Sequence, residues 1–232
     1  MSTRFAIFMP AAIIGFGLLT GCRTFPHTHT MPVDDPPAVY QNHAAATRNG
    51  FEAIYEGELR IWFHSIRTIW IVAADDAQLS IAILSPSGIT IMQMQGDATT
   101  YTSHVSLPPA KRLEPYGKAI WQALWYSLAS TDTDKEMNWS QRGQRIQAHT
   151  ITDTNVRTRF RTDLDNPTTL QVNIKGPGRA RHNVHMENSQ PADGPRCPEH
   201  IQIRSRRPRV RLTLSLKDAY VNQPEASYEP RQ

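Results

Sequence analysis

Cysteine is nearly missing from this chain. Its 232 residues hold two, Cys22 and Cys197, too few for a disulfide framework. Glycine, at 12, is outnumbered by proline, at 17, while charged residues make up 20% and aromatics 8% of a composition that suits a soluble, β-rich domain. Long apolar runs are confined to the N-terminus. Residues 22–232 contain no stretch of the roughly 20 consecutive apolar residues that a membrane-spanning helix needs. The sequence also lacks the G-x-S-x-G elbow, H-E-x-x-H, C-x-x-C and G-x-G-x-x-G. No enzyme activity and no cofactor is expected.

The N-terminus carries Arg4, then mostly apolar residues from Phe5 to Leu19, then Thr20-Gly21 ahead of Cys22. This pattern, too short for a stable span and ending in small residues, is a signal peptide over residues 1–21. Export sets nucleic acid aside as a partner. Leu18-Leu19-Thr20-Gly21-Cys22 resembles the bacterial lipobox. The resemblance implies that Cys22 becomes the first mature residue, carrying a thioether-linked diacylglycerol and an N-acyl chain such as palmitate. Cysteine suits that role because its thiolate is the nucleophile. Three acyl chains, at about 0.8 kcal/mol per buried methylene, anchor a protein to a membrane essentially permanently. Arg23 stands where, by resemblance to enterobacterial lipoproteins, an aspartate would hold the protein at the inner membrane, so sorting to the outer membrane is expected. Residues 22–38 then read as the lipidated cysteine and a tether. Pro26, Pro32, Pro36 and Pro37 leave it little to bury, and its thirteen residues from Phe25 to Pro37 reach roughly 40 Å if extended.

Residues 39–222 are expected to fold, with 223–232 as a disordered tail. Period-two alternation, the signature of strands with one wet face, recurs at Leu59, Ile61 and Phe63; at Ile69 and Ile71; at Leu79, Ile81 and Ile83; at Leu170, Val172 and Ile174; at Ile201 and Ile203; and at Val210, Leu212, Leu214 and Leu216. Pro86-Ser87-Gly88 turns between two apolar arms and makes residues 79–94 a hairpin. Between Lys111 and Ser130 the apolar residues Leu113, Tyr116, Ile120, Trp121, Leu124 and Leu128 fall three and four apart, which predicts an amphipathic helix. A weaker helix is expected around Val39 to Phe51. One or two helices cover many strands only if the sheet curls around them. The expected fold is therefore mainly β with helices: a curved antiparallel sheet, or incomplete barrel, closed by helices over an apolar cavity. Trp121 and Trp125, one turn apart, are placed at the cavity mouth or in the core. The strand stripes carry the same choice, because cavity lining and core have one composition.

Charge is unevenly spread. From Lys175 to Lys217 there are ten basic residues against three acids, net +7, so the rest of the chain is −3 within a total of +4. Such a face attracts anionic headgroups or an acidic periplasmic partner; it is also what the wet faces of soluble strands look like. His182, His185, Cys197 and His200 offer nitrogen and sulfur ligands in two pairs. Pro198 stiffens the second pair, and a thiol is oxidation-prone in an oxidising compartment, so no metal is expected. His27 and His29 read as solvated histidines of the tether.

In their order, the lipobox ending at Cys22, the hairpin from Leu79 to Met94, the helix ending Ala119-Ile120-Trp121-Gln122-Ala123-Leu124-Trp125 and a closing strand pair from Pro198 to Asn222 resemble the LolB-like lipoproteins of the LolA/LolB superfamily. The resemblance spans most of residues 50–222. It implies an incomplete antiparallel barrel closed by helices, whose cavity accepts acyl chains and delivers lipoproteins to the outer membrane. The cavity candidates are Leu59, Ile61, Phe63, Ile69, Ile71, Leu79, Ile81, Ile83, Ile120, Trp121, Leu124, Trp125, Leu212, Leu214 and Leu216. In the family's receptor type a bulky apolar residue at the tip of the P-x-G turn engages the membrane, whereas Pro86-Ser87-Gly88 places a serine there. The expected function is a monomeric, lipid-anchored protein in the periplasmic leaflet of a Gram-negative outer membrane, binding acyl chains of a lipid or lipoprotein. The alternative is an anchored interaction module that binds an envelope protein through its basic face.

Overall fold

The computed structural model describes residues 30–75, 77–97, 99–129, 137–151, 155–177, 180–188 and 196–221. The expected signal peptide, Cys22, His27 and His29, and the expected tail lie outside them.

The described strands form one antiparallel sheet. In chain order they are β1 (Met31–Val33), β2 (Phe51–Ile61), β3 (His64–Ala74), β4 (Leu79–Leu84), β5 (Thr90–Gly96), β6 (Tyr101–Val105), β7 (Trp139–Arg142), β8 (Arg145–Ile151), β9 (Arg157–Asp163), β10 (Asn166–Lys175), β11 (Arg181–Glu187), β12 (His200–Arg206) and β13 (Arg209–Val221). Their spatial order is β1-β7-β8-β9-β10-β11-β12-β13-β2-β3-β4-β5-β6, so β1 and β6 are free edges and the barrel does not close. The helices α1 (Ala38–Asn49) and α2 (Glu114–Leu124) interrupt this meander, α2 entered through a 3₁₀ turn at Pro108–Leu113 and continued by a π turn at Trp125–Ala129.

Each element follows from its residues. In β2, Phe51, Ala53, Tyr55, Gly57, Leu59 and Ile61 are buried, while Glu52, Ile54, Glu56, Glu58 and Arg60 face out. Gly57 is required on the inner face, since a Cβ there would lie 2.6 Å from the Trp70 ring and 2.9 Å from Leu214. Helix α1 stops at Gly50, whose φ of 79° turns the chain directly into β2. Helix α2 has Glu114 and Pro115 in its first turn and buries Gly117, Ile120, Trp121 and Leu124, spaced three and four apart. In the following π turn, the Ser127 hydroxyl donates to the Ala123 carbonyl at 2.6 Å. Helix α2 touches edge strand β6 on one side and the central strands β11, β12 and β13 on the other, so the sheet wraps around it.

Two expectations are corrected here. Met31–Val33, assigned to the tether, is an edge strand paired with Trp139–Gln141 through β7. Phe63, Ile69 and Ile71 do not face the interior. Phe63 sits in the two-residue turn after β2, where Trp62 takes a φ of 55° and the alternation breaks. That turn pairs Ile61 with His64 and Tyr55 with Trp70, so the even-numbered residues of β3 share the inner face and Ile69 and Ile71 lie opposite Glu56 and Ile54 outside. Residues 69–74 are apolar at both parities, so the register is set by the turn.

Candidate functional site

Only the concave face of the sheet is enclosed, and its two ends differ. Beneath α1 it is packed with aromatic and polar side chains. Tyr40 meets Trp139 and Phe160 edge to face, with centroids 5.0 and 5.2 Å apart. The Tyr55 hydroxyl donates to the Pro198 carbonyl at 3.0 Å. Fully buried His43 donates from Nδ1 to the Arg196 carbonyl at 3.1 Å, while its Nε2 has no partner among the described residues. Desolvation lowers His43 to a pKa of about 4 and thus keeps it neutral. The same effect raises Tyr40 to about 12, outweighing the opposing pull of Arg48, and pushes the Cys197 thiol up to about 12. Cys197 is accordingly a buried, inert thiol.

The other end, beneath the start of α2, is apolar and incompletely filled. A void of about 50 Å³ lies where α2 meets β2–β5. Leu59, Ile66, Ile83 and Ile91 bound it from the sheet, together with Thr68 and Met92. From above it is closed by Leu113, Tyr116, Gly117 and Ile120, the i, i+3, i+4, i+7 stripe of α2 and its lead-in turn. Gly117 rides on two methionines: a Cβ there would lie 2.7 Å from Met92 Sδ and 3.1 Å from Met94 Sδ. Few polar contacts hold this end of α2 down. Trp62 Nε1 donates to the Tyr116 hydroxyl at 3.2 Å, Ser103 Oγ to Glu114 Oε1 at 2.9 Å, and Trp121 Nε1 to the Leu79 carbonyl at 3.3 Å. Lys118 lies over the Tyr101 ring, 5.7 Å from its centroid.

Of the sequence candidates, the void is lined by Leu59, Ile83 and Ile120. Ile61, Leu79, Ile81, Trp121, Leu124, Trp125, Leu212 and Leu214 are buried in the surrounding core, and Leu216 packs against its margin. Trp121 and Trp125 stack with planes 8° apart and centroids 5.5 Å apart, inside rather than at the mouth. Sequence reasoning missed Ile66, Thr68, Ile91, Met92 and Gly117, and read Leu113 and Tyr116 only as part of the helix stripe. The helical stripe through Leu113, Tyr116 and Ile120 contained the signal for Gly117, which falls on the same face. In the P-x-G turn, Ser87 Oγ lies 2.8 Å from Ser85 Oγ, and Gly88 takes a φ of 83°. The apolar side chain exposed at that turn is Ile89.

Two larger hollows lie on the convex face: one of about 390 Å³ is walled by Ile71, Ala73 and Ala82 together with Gln93, Gln95 and His104, and one of about 280 Å³ by mainly polar side chains such as Gln171, Asn183 and Gln202. The histidine pair is split by strand geometry: His182 points inward and is buried, while His185 points outward beside Glu187, at 3.9 Å. No three His, Cys, Asp or Glu side chains are grouped for a metal among the described residues. No helix among them is long and apolar enough to cross a membrane.

Solved structures resemble this open, curved antiparallel sheet wrapped around a helix. A LolA superfamily protein from Nitrosomonas europaea aligns with a TM-score of 0.48 and 10% identity, covering 85% of this chain and 99% of its own. A domain from Vibrio parahaemolyticus, assigned to outer membrane lipoprotein sorting, aligns with a TM-score of 0.53 and 12% identity, covering 83% of this chain and 94% of its own. The second match shows a shared fold, the open curved sheet with helices that the sequence resemblance implied. No known family's sequence pattern and no curated protein matches the chain.

Proposed function

We propose that this chain is a lipid-anchored envelope protein that takes acyl chains of a lipid or lipoprotein between α2 and the sheet, in transfer to the outer membrane. One observation carries the proposal: the seam between α2 and β2–β5 is apolar on all sides and not completely filled. Hydrocarbon is the ligand chemistry such a lining favours, at about 25 cal/mol per Å² removed from water. A void of about 50 Å³ is far below the roughly 300–1,000 Å³ of ordinary ligand pockets. Taking up an acyl chain therefore requires α2 to move away from the sheet. Besides the apolar packing of Leu113, Tyr116 and Ile120 and the Lys118–Tyr101 contact, this end of α2 is held among the described residues by three side-chain hydrogen bonds, and the two flexible methionines under Gly117 can adjust to that motion. The chemistry is binding and release, with no covalent step and no cofactor. Cys22 supplies the anchor and the outer membrane its site.

The test is uptake of a fluorescent fatty-acid probe by the chain with Cys22 replaced by alanine, paired with mass spectrometry of lipid that copurifies. Saturable uptake displaced by unlabelled fatty acid is the expected result. A folded protein that takes up no probe and carries no lipid rejects the proposal.

A further inference from the structure

We infer that the end of the sheet bearing the β2–β3 and β12–β13 turns is a docking surface for an anionic lipid bilayer, with Trp62 and Phe63 as its inserting tip. Strand directions bring three turns to this end: Trp62-Phe63, Arg207-Pro208 and Pro86-Ser87-Gly88. Trp62 is 61% exposed, Phe63 89% and Ile89 55%, and the half-exposed Leu107 joins them, since Ser106 bonds the Ile91 carbonyl beside the third turn. Apolar side chains concentrated at one end with a polar rim mark a membrane or protein site.

The rim is cationic. Trp62, Phe63, Arg60, Arg204, Arg209 and Arg211 wall a hollow of about 340 Å³. Strand pairing sets Arg60 beside Arg211 and Arg211 beside Arg204, a row of three like charges on neighbouring strands, and Arg206 opposite Arg209 at the turn. Among the described residues none of these five arginines forms an ion pair with a carboxylate. Glu58, two residues before Arg60 on the same face of β2, accepts from the Ser65 hydroxyl, and its single charge leaves the five arginines in cationic excess. Like charges directly opposite destabilise a sheet, and these strands are central, so edge protection does not account for the row. An anionic surface relieves the repulsion.

Geometry selects a bilayer over an acidic protein. The exposed aromatics form a two-residue knob at the turn, and Arg60 lies two residues behind it, about 7 Å at the rise of a strand. That offset matches the roughly 5–10 Å to which interfacial side chains sink while their basic neighbours stay with the phosphates. Tryptophan is also the side chain most at home at the lipid–water boundary. The knob adjoins the mouth of the apolar seam, because Trp62 bonds Tyr116 on its rim. This surface adds to the proposed acyl binding, and its test is separate: Trp62 can enter lipid whether or not the seam takes a probe.

Trp62 is the one exposed tryptophan of five, the other four being buried, which provides an intrinsic probe in the full chain. Its emission is isolated as the difference between the full chain and Trp62→Phe. That difference is measured on vesicles of equal parts phosphatidylglycerol and brominated phosphatidylcholine, whose bromines quench at short range. The expected result is loss of most of the difference signal on these vesicles, with recovery when Arg206→Glu and Arg209→Glu are combined. A difference signal unquenched on these vesicles overturns the inference and leaves the arginines to an acidic protein. Quenching that the two charge reversals leave unchanged overturns the role given to the arginines.

Discussion

Ile120→Ala separates a binding seam from an ordinary core, because the two assign opposite signs to one of its effects. Ile120 is fully buried and closes the void from the helix side. Truncating it removes three carbons next to a space of about 50 Å³ that is already empty. Substitutions of this kind cost about 2–5 kcal/mol, combining lost transfer energy with a charge of roughly 24 cal/mol per Å³ of residual cavity. The upper half of that range is expected here, since the adjoining void shows that the seam has not collapsed onto itself. A domain with about 5–15 kcal/mol of net stability stays folded after such a loss. The enlarged seam approaches the roughly 150 Å³ at which apolar cavities take up small hydrocarbons. Urea unfolding with and without fatty acid, beside probe titration, reads both effects. Stability should fall in the free protein, probe affinity should rise, and saturating ligand should restore about 3 kcal/mol at a hundred times its dissociation constant. A folded, destabilised variant with unchanged or weaker probe binding and no rescue would refute the reasoning.

Strand facing and a buried histidine give two further predictions. Leu214→Asp should cost several kcal/mol and prevent folding or uptake, because Leu214 is fully buried and a carboxylate there loses its water without a partner, while Ser215→Asp on the outer face should shift the urea midpoint little; equal effects in circular dichroism melts would refute the facing of β13. His43 has a folded pKa of about 4 against an unfolded value of 6.5, so the unfolded state binds the extra proton between those values and stability falls as pH drops through that window. The loss should total about 3 kcal/mol, and His43→Gln, which keeps a donor for the Arg196 carbonyl, should flatten the slope; a wild-type-like slope in the variant would exclude His43 as its source.

Much of the architecture was legible from the sequence because β2, β4, β12 and β13 alternate cleanly, and because Leu113, Tyr116, Ile120 and Leu124 keep helical spacing. Strand β9 was not legible by that rule. Its inner face is Thr158, Phe160 and Thr162, one apolar residue among threonines, with the Thr162 hydroxyl donating to the Thr169 carbonyl at 2.8 Å. Strand β3 failed for the opposite reason: apolar at both parities, it takes its facing from the turn at Trp62 and Phe63. The seam itself was hidden because Leu59, which lines it, and Leu212, which does not, are both buried strand aliphatics. What separates them is where α2 and its lead-in turn fall over the sheet, which strand alternation does not encode. The arginines of β12 and β13 were visible as a charge excess, but their alignment with Arg60 depends on pairing between strands distant in sequence.

The claim that a hydrocarbon chain lies between α2 and the sheet is tested most directly by methyl NMR of the methionine-labelled protein during fatty-acid titration. Met92 and Met94, buried beneath Gly117, should shift and show contacts to the methylenes of the chain, while exposed Met31 on β1 should not move. Saturating fatty acid that leaves the Met92 and Met94 methyls unperturbed, with no contact to the chain, would contradict it.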